Sequence, residues 1–147
     1  MITDYFKLRE LVCEHIYDKY GNFAWNFFDI RLLILEEAIH VRLGKDKMIF
    51  VNNWQEHGQL SQRGLRCPLC QLVQDRFKTG DLFMDPHAMG KAIDQDFQGM
   101  TAEEGRKYLI DNKSLWPYHF RLEDKVEWIH LDLYTDESNG KIVLFNS

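Results

Sequence analysis

The chain has 147 residues, one domain's worth and enough to bury a core. Hydrophobic residues make up 45% and aromatics 14%, which argues against a disordered or low-complexity chain. A formal net charge of −5, with no basic stripe, argues against a nucleic-acid partner, because such a surface repels phosphate backbones.

In chain order, Thr3 or Asp4 is the expected N-cap of a first helix. Phe6, Leu8, Leu11, Val12 and Ile16 recur along it at helical spacing, and Gly21 ends it. A second helix begins after Asp29, carries Leu32, Leu33, Leu35, Ile39 and Leu43, and closes on Gly44. Met48-Ile49-Phe50-Val51 reads as a short buried strand. The polar loop from Asn52 to Arg66 that follows is long, and loops of that length in compact domains are often functional. Pro68 suits the first turn of a helix running to about Lys78. Thr101-Ala102-Glu103-Glu104 is a capping box that opens a helix to about Asn112. Val126 to Tyr134 and Lys141 to Phe145 are strand-like, and the turn-rich Asp136 to Gly140 between them predicts a hairpin. Helices lead and strands cluster late. The expected class is therefore α+β, with a small antiparallel sheet packed with helices in a single domain over 1–147.

No apolar run approaches the ~20 residues that span a bilayer, so a membrane is not an expected partner. Met1 to Lys7 lacks a basic region followed by an apolar one, so no Sec signal peptide is predicted. The three cysteines, Cys13, Cys67 and Cys70, are an odd number, which argues against a disulfide scaffold. Cys67-Pro68-Leu69-Cys70 has the form of half a zinc ribbon or a redox dithiol. A structural zinc site needs four ligands, and no second Cys pair or His pair at close spacing accompanies this one. Two ordinary half-buried thiols are the expectation, with redox chemistry as the rival. His15, His40, His57 and His119 read as ordinary histidines.

Two segments carry chemistry: His87-Ala88-Met89-Gly90-Lys91-Ala92-Ile93-Asp94 and Glu127-Trp128-Ile129-His130-Leu131-Asp132. A catalytic zinc takes three protein ligands and keeps one position open for water. His87, Asp94 and His130 supply two imidazoles and a carboxylate, a donor set that suits zinc. Glu127, three residues before the last ligand, is placed to take a proton from the attacking water. Gly90 and Ala92 are small enough for the backbone to pass close to the site or a neighbouring strand. Asp132 either orients a ligand histidine or faces solvent. Trp128 reads as a packing residue.

This arrangement resembles the LAS metallopeptidases, named for lysostaphin, D-alanyl-D-alanine peptidases and hedgehog. The closest branch is the D-alanyl-D-alanine carboxypeptidase and L-alanyl-D-glutamate endopeptidase group, which includes phage endolysins. Its His-x-x-Gly-x-Ala-x-Asp motif corresponds to His87, Gly90, Ala92 and Asp94, and its Glu-Trp-x-His to Glu127, Trp128 and His130. The first motif alone arises by chance in a chain this size roughly once in a thousand on uniform residue frequencies. Upstream, Arg66 in Gln62-Arg63-Gly64-Leu65-Arg66 matches the family arginine that contacts substrate or the developing oxyanion, with Arg63 as the competing position. Asn52-Asn53-Trp54 and the loop after it look like phage and prophage members. Asp85 stands where the family often has Ser, and Gln95 where it often has an aromatic or aliphatic residue.

The resemblance implies a hedgehog/D-Ala-D-Ala peptidase-like fold and one catalytic Zn2+, held by His87, Asp94 and His130, with Glu127 and Arg66 as catalytic residues. It implies a monomeric hydrolase acting on the peptidoglycan peptide stem, at a D-Ala-containing or L-Ala-D-Glu bond. Such an enzyme is made in the cytoplasm and reaches the cell wall by phage-type or other non-Sec release. The alternative is a zinc-containing wall-binding or phage structural module without catalysis.

Overall fold

The computed structural model describes residues 3–44 and 46–146. Helices α1 (Leu8–Leu11), α2 (Glu14–Tyr20) and α3 (Ile30–Leu43) come first, followed by the short strand β1 (Ile49–Phe50) and helix α4 (Gln71–Phe77). Strand β2 (Ala92–Phe97), helix α5 (Ala102–Asp111) and strands β3 (Phe120–Glu123), β4 (Ile129–Asp132) and β5 (Ile142–Phe145) complete the order. The class is α+β. The five strands form one sheet in the order β1-β2-β4-β3-β5.

Local signals fix the long helices as expected. Asp29 caps α3 by accepting from the Arg31 N–H at 3.0 Å, and Gly44 closes it with φ +103. Thr101 and Glu104 form the reciprocal capping box of α5. The back of the sheet packs on these two helices. Leu32, Leu35 and Ile39 of α3 are fully buried in one core cluster with Ile93, Leu122, Ile129 and Leu131 of the strands. Helix α5 comes close enough to the sheet that a Cβ on Gly105 would lie 2.2 Å from the Ile129 side chain.

Three expectations are corrected. The first helix is two helices, broken at Val12-Cys13, where both residues are extended. The apolar spacing of Leu8, Leu11, Val12 and Ile16 runs on across the break. The backbone there instead pairs with the Asn52–Arg66 loop: Cys13 N–H donates to the Leu65 carbonyl at 3.0 Å, and Leu65 N–H to the Leu11 carbonyl at 2.8 Å. Asn52 and Trp54 side chains both donate to the Val12 carbonyl, at 3.2 and 3.0 Å. The predicted hairpin does not form either. β5 pairs in parallel with β3, while β4 lies between β3 and β2. The sheet is therefore mixed and not purely antiparallel: the connection from β4 to β5 crosses β3, so β5 lies beside β3 and parallel to it. Finally, β2 and β3 were not foreseen as strands. Among the described residues no helix is long and apolar enough to cross a membrane.

Candidate metal centre

His87 lies in the turn 86–90 before β2, Asp94 in the middle of β2 and His130 near the start of β4. Asp94 and His130 are direct cross-strand partners, so the antiparallel register puts both side chains on one face. His87 is brought over them by its turn. Asp85 Oδ1 accepts from the His87 N–H at 2.9 Å, so the carboxylate at the position where the resemblance has Ser shapes this turn. Gly90 ends it with φ +65, and a Cβ there would lie 2.1 Å from the Phe27 carbonyl oxygen. The close approach anticipated for Gly90 is thus against the segment leading into α3, where the Asp29 N–H donates to the Gly90 carbonyl at 3.0 Å.

All three side chains are buried, and their donor atoms converge. His87 Nε2 lies 3.3 Å from His130 Nδ1 and 3.4 Å from Asp94 Oδ1, and His130 Nδ1 lies 2.7 Å from Asp94 Oδ1. Ligand atoms at ~2.0–2.2 Å from a tetrahedral zinc stand about 3.3–3.5 Å apart, so two of these separations fit a common cation and the third is a hydrogen bond's length. The outer atoms of the rings are also fixed. His87 Nδ1 lies 2.9 Å from the Gly64 carbonyl oxygen, which can only accept, so Nδ1 carries the proton and Nε2 faces the cluster as an acceptor. His130 Nε2 likewise meets Asp132 Oδ2 at 3.0 Å, which turns Nδ1 inward. Asp132 is fully buried and takes two 2.8 Å bonds from Arg121. Of the two readings open for Asp132, solvent exposure is ruled out, and its carboxylate orients the His130 ring.

The electrostatics follow from burial and charge. Burial opposes the charge on His130, but its hydrogen bonds to Asp132 and Asp94 raise its pKa to about 9. Burial likewise opposes ionisation of Asp94, yet its interactions with His87 and His130 hold the carboxyl well below the usual carboxylate range. The His130–Asp94 pair thus holds a proton where a divalent cation could fit, and a cation bound there near neutral pH would displace it. Two imidazoles and an ionised carboxylate, each held from behind, suit zinc.

The cluster forms the base of an open cleft of about 620 Å³. Arg66 lines it, donating from NH2 to Asp94 Oδ2 at 2.8 Å, with NH1 3.6 Å from Asp85. Arg63 instead turns to Asp96 at 2.6 Å and is not among the lining residues. Trp128 lines the cleft and is partly exposed, so it is less a packing residue than a wall of the site. Glu127 stands exposed in the bends 124–128 ahead of β4 and is not among the lining residues, whereas the buried Glu123 of β3 is. Arg76, Phe83 and Asp85 join this cleft to an apolar groove of about 240 Å³ formed with Val73, Phe77 and Met84.

Gln95, the other departure from the family pattern, faces the opposite side of β2. Its amide donates to Glu36 Oε1 of α3 at 3.0 Å, so the polar residue on the strand is met by one on the helix. His40 is buried against Tyr5 and Phe6, His57 sits exposed in a left-handed turn, and His119 bonds the Gly140 carbonyl. His15 departs from the expectation for ordinary histidines. It lies with Cys13, Cys67 and Cys70 in a second group of potential ligands. Its signal was the spacing Cys13-Glu14-His15, which completes Cys67-Pro68-Leu69-Cys70 only once the fold joins the two. In comparison with known proteins, the chain matches no family model, no curated protein and no solved structure.

Proposed function

We propose that the chain is a zinc-dependent peptidase that hydrolyses a peptide bond in the stem of peptidoglycan, at a D-Ala-containing or L-Ala-D-Glu linkage. The observation that carries this reading is the convergence of His87 Nε2, His130 Nδ1 and Asp94 Oδ1 at the base of an open cleft. When bound, zinc supplies Lewis acidity that polarises a carbonyl and draws the pKa of water from 15.7 toward ~7. Asp132 and the Gly64 carbonyl hold the two imidazoles in the tautomers that ligation needs. Arg66 orients Asp94 and offers its guanidinium to the oxyanion that develops at the scissile carbonyl. Glu127 receives the proton of the attacking water and returns it to the leaving amine, a role assigned from its place three residues before His130. The choice of peptidoglycan rests on the resemblance of the two motifs. The test is incubation of purified muropeptides with the protein, with and without chelator, and identification of the products by mass spectrometry. Chelator-sensitive cleavage at an alanine-containing bond is the expected result. Intact muropeptides in the presence of zinc-loaded protein reject it.

The exposed position of Glu127, outside the cleft lining, favours a second reading. In it the chain is a zinc-containing wall-binding or phage structural module without catalysis. That module binds peptidoglycan sacculi with zinc in place and releases no fragments.

A further inference from the structure

The break at Val12-Cys13 and the Asn52–Arg66 loop together build a second ligand cluster. Cys13 and His15 flank the start of α2, and Cys67 and Cys70 precede α4. Three thiols and one imidazole nitrogen lie within 4.8 Å of one another. Cys67 Sγ is 3.9 Å from Cys70 Sγ and 3.6 Å from His15 Nδ1. A tetrahedral zinc with sulfur at ~2.3 Å and nitrogen at ~2.0–2.1 Å sets its S···S edge at about 3.8 Å and its S···N edge at about 3.6 Å. Both of these edges match. Backbone donors are already aimed at the sulfurs. The Cys67 N–H points to Cys70 Sγ and the Leu69 N–H to Cys67 Sγ, each at 3.4 Å, the pattern that steadies thiolates around a metal. Cys13 and Cys70 are buried, while His15 is exposed and closes the outer side.

We propose that Cys13, His15, Cys67 and Cys70 form a closed, structural zinc site, distinct from the His87–Asp94–His130 centre. Four protein ligands leave no position for substrate or water, which separates this site from a catalytic one. The expectation of one ion per chain becomes two. What the second ion fastens is the segment 63–66. Its Arg63 carbonyl accepts from the Asp94 N–H at 2.6 Å, its Gly64 carbonyl holds His87 at 2.9 Å, and its Arg66 holds Asp94. This segment is bonded to Leu11 and Cys13 on one side and to the ligands of the cleft on the other. The thiolate site therefore anchors the backbone that orients the open one.

The rival for these residues is a Cys67–Cys70 redox dithiol, and cobalt distinguishes the two. The whole chain is stripped with chelator under reducing conditions, loaded with Co2+ and read by near-ultraviolet and visible absorption, with total metal measured by elemental analysis after zinc loading. Two ions per chain and an intense thiolate-to-cobalt charge-transfer band are expected. Cys67→Ser and His15→Ala should each reduce the count to one and remove the band. His87→Ala should also reduce the count to one but leave the band intact. A folded wild type that takes up one ion and shows no charge-transfer band overturns the proposal, as does a band unaltered in Cys67→Ser. Should a cysteine variant fail to fold, the wild type still decides. Its thiols should resist a disulfide-exchange reagent when zinc-loaded and react after chelation, and equal reactivity in both states overturns the site. None of these readouts depends on muropeptide cleavage, so an inactive protein with an intact band sinks the peptidase reading alone.

Discussion

His87, Asp94 and His130 are placed by a sheet register and a tight turn, whereas Cys13, His15, Cys67 and Cys70 are placed by two loops that meet at a break between helices. The first set numbers three and opens onto a cleft. The second numbers four, with Cys13 and Cys70 buried and His15 on the outside. The rigidity comes from different sources. Paired strands hold Asp94 opposite His130 without an ion, so a metal site there would be organised before it binds. The loops around the thiols are held by scattered hydrogen bonds instead of a strand ladder, and an ion there would contribute directly to folding. On the two proposals above, chemistry would be built where the backbone is already fixed, and a metal would serve as a fastener where it is less so.

The sharpest way to break this comparison is to remove one ligand from each set. His130→Ala should abolish peptide hydrolysis and remove the metal of the open site, yet leave the melting temperature of the zinc-loaded protein within a few degrees of wild type. Cys67→Ser should do the reverse, lowering the melting temperature most and leaving turnover per folded molecule closer to wild type. Parallel calorimetry, metal analysis and muropeptide assays read both. Equal losses of stability would show that the two ions do the same job.

Next in size is the proton acceptor. A general base contributes ~10²–10⁴-fold, so Glu127→Gln should lower turnover by about that factor with zinc retained. Glu123→Gln is the comparison, because Glu123 lines the cleft and Glu127 stands outside it. Rates for both variants under saturating zinc decide between them. A larger loss in Glu123→Gln would move the role to β3.

A smaller effect is expected behind the ligands. Asp132 holds His130 at 3.0 Å, and removal of such a partner typically costs 10–100-fold in metal affinity. Asp132→Asn should weaken zinc binding at the open site by about that much, measured by competition with a chromophoric chelator, and leave the cobalt–thiolate band unaltered. An unaltered affinity would reduce Asp132 to an ion-pair partner of Arg121.

These features were unequally legible in the sequence. The cap of α3 at Asp29 and the capping box at Thr101 and Glu104 carry local signals, a polar side chain just before an apolar stripe, and the side chains that meet in the cleft stand in two short segments, His87 to Asp94 and Glu127 to His130. Strand β2 was hidden because Asp94, Gln95 and Asp96 interrupt its apolar pattern, each answered by a partner from elsewhere in the fold. The parallel pairing of β3 with β5 has no local signature, and the turn residues before β5 suggest a hairpin equally well. Cys13 and His15 are more than fifty residues from Cys67 and Cys70, and the continuing apolar spacing around Val12 conceals the break that brings them together. Periodicity reports which face is buried, not whether the backbone pauses between two turns.

The smallest effect on either metal set is expected from the back of the sheet, and it tests whether the two faces of β2 are independent. Gln95 follows Asp94 directly but points away from it, to Glu36 of α3. Glu36 is fully buried, and burial pushes its pKa up to about 8, only partly offset by the Gln95 amide. Its folded pKa thus lies above the unfolded value. Between about pH 4.5 and 8 the folded chain retains a proton that the unfolded chain releases, so stability falls as pH rises through this window and levels off above it. Over the whole window the loss is on the order of a few kcal/mol. Glu36→Gln has the same shape and no proton to lose, so its stability relative to wild type should grow steadily from pH 5 to pH 8. Chemical denaturation of the zinc-loaded proteins across that range measures the difference directly, and groups common to both cancel. Zinc content and turnover should not change. A constant difference across the window would mean that Glu36 is already ionised in the core. A change in zinc affinity at the open site would mean that the two faces of β2 are coupled through the backbone of Asp94 and Gln95.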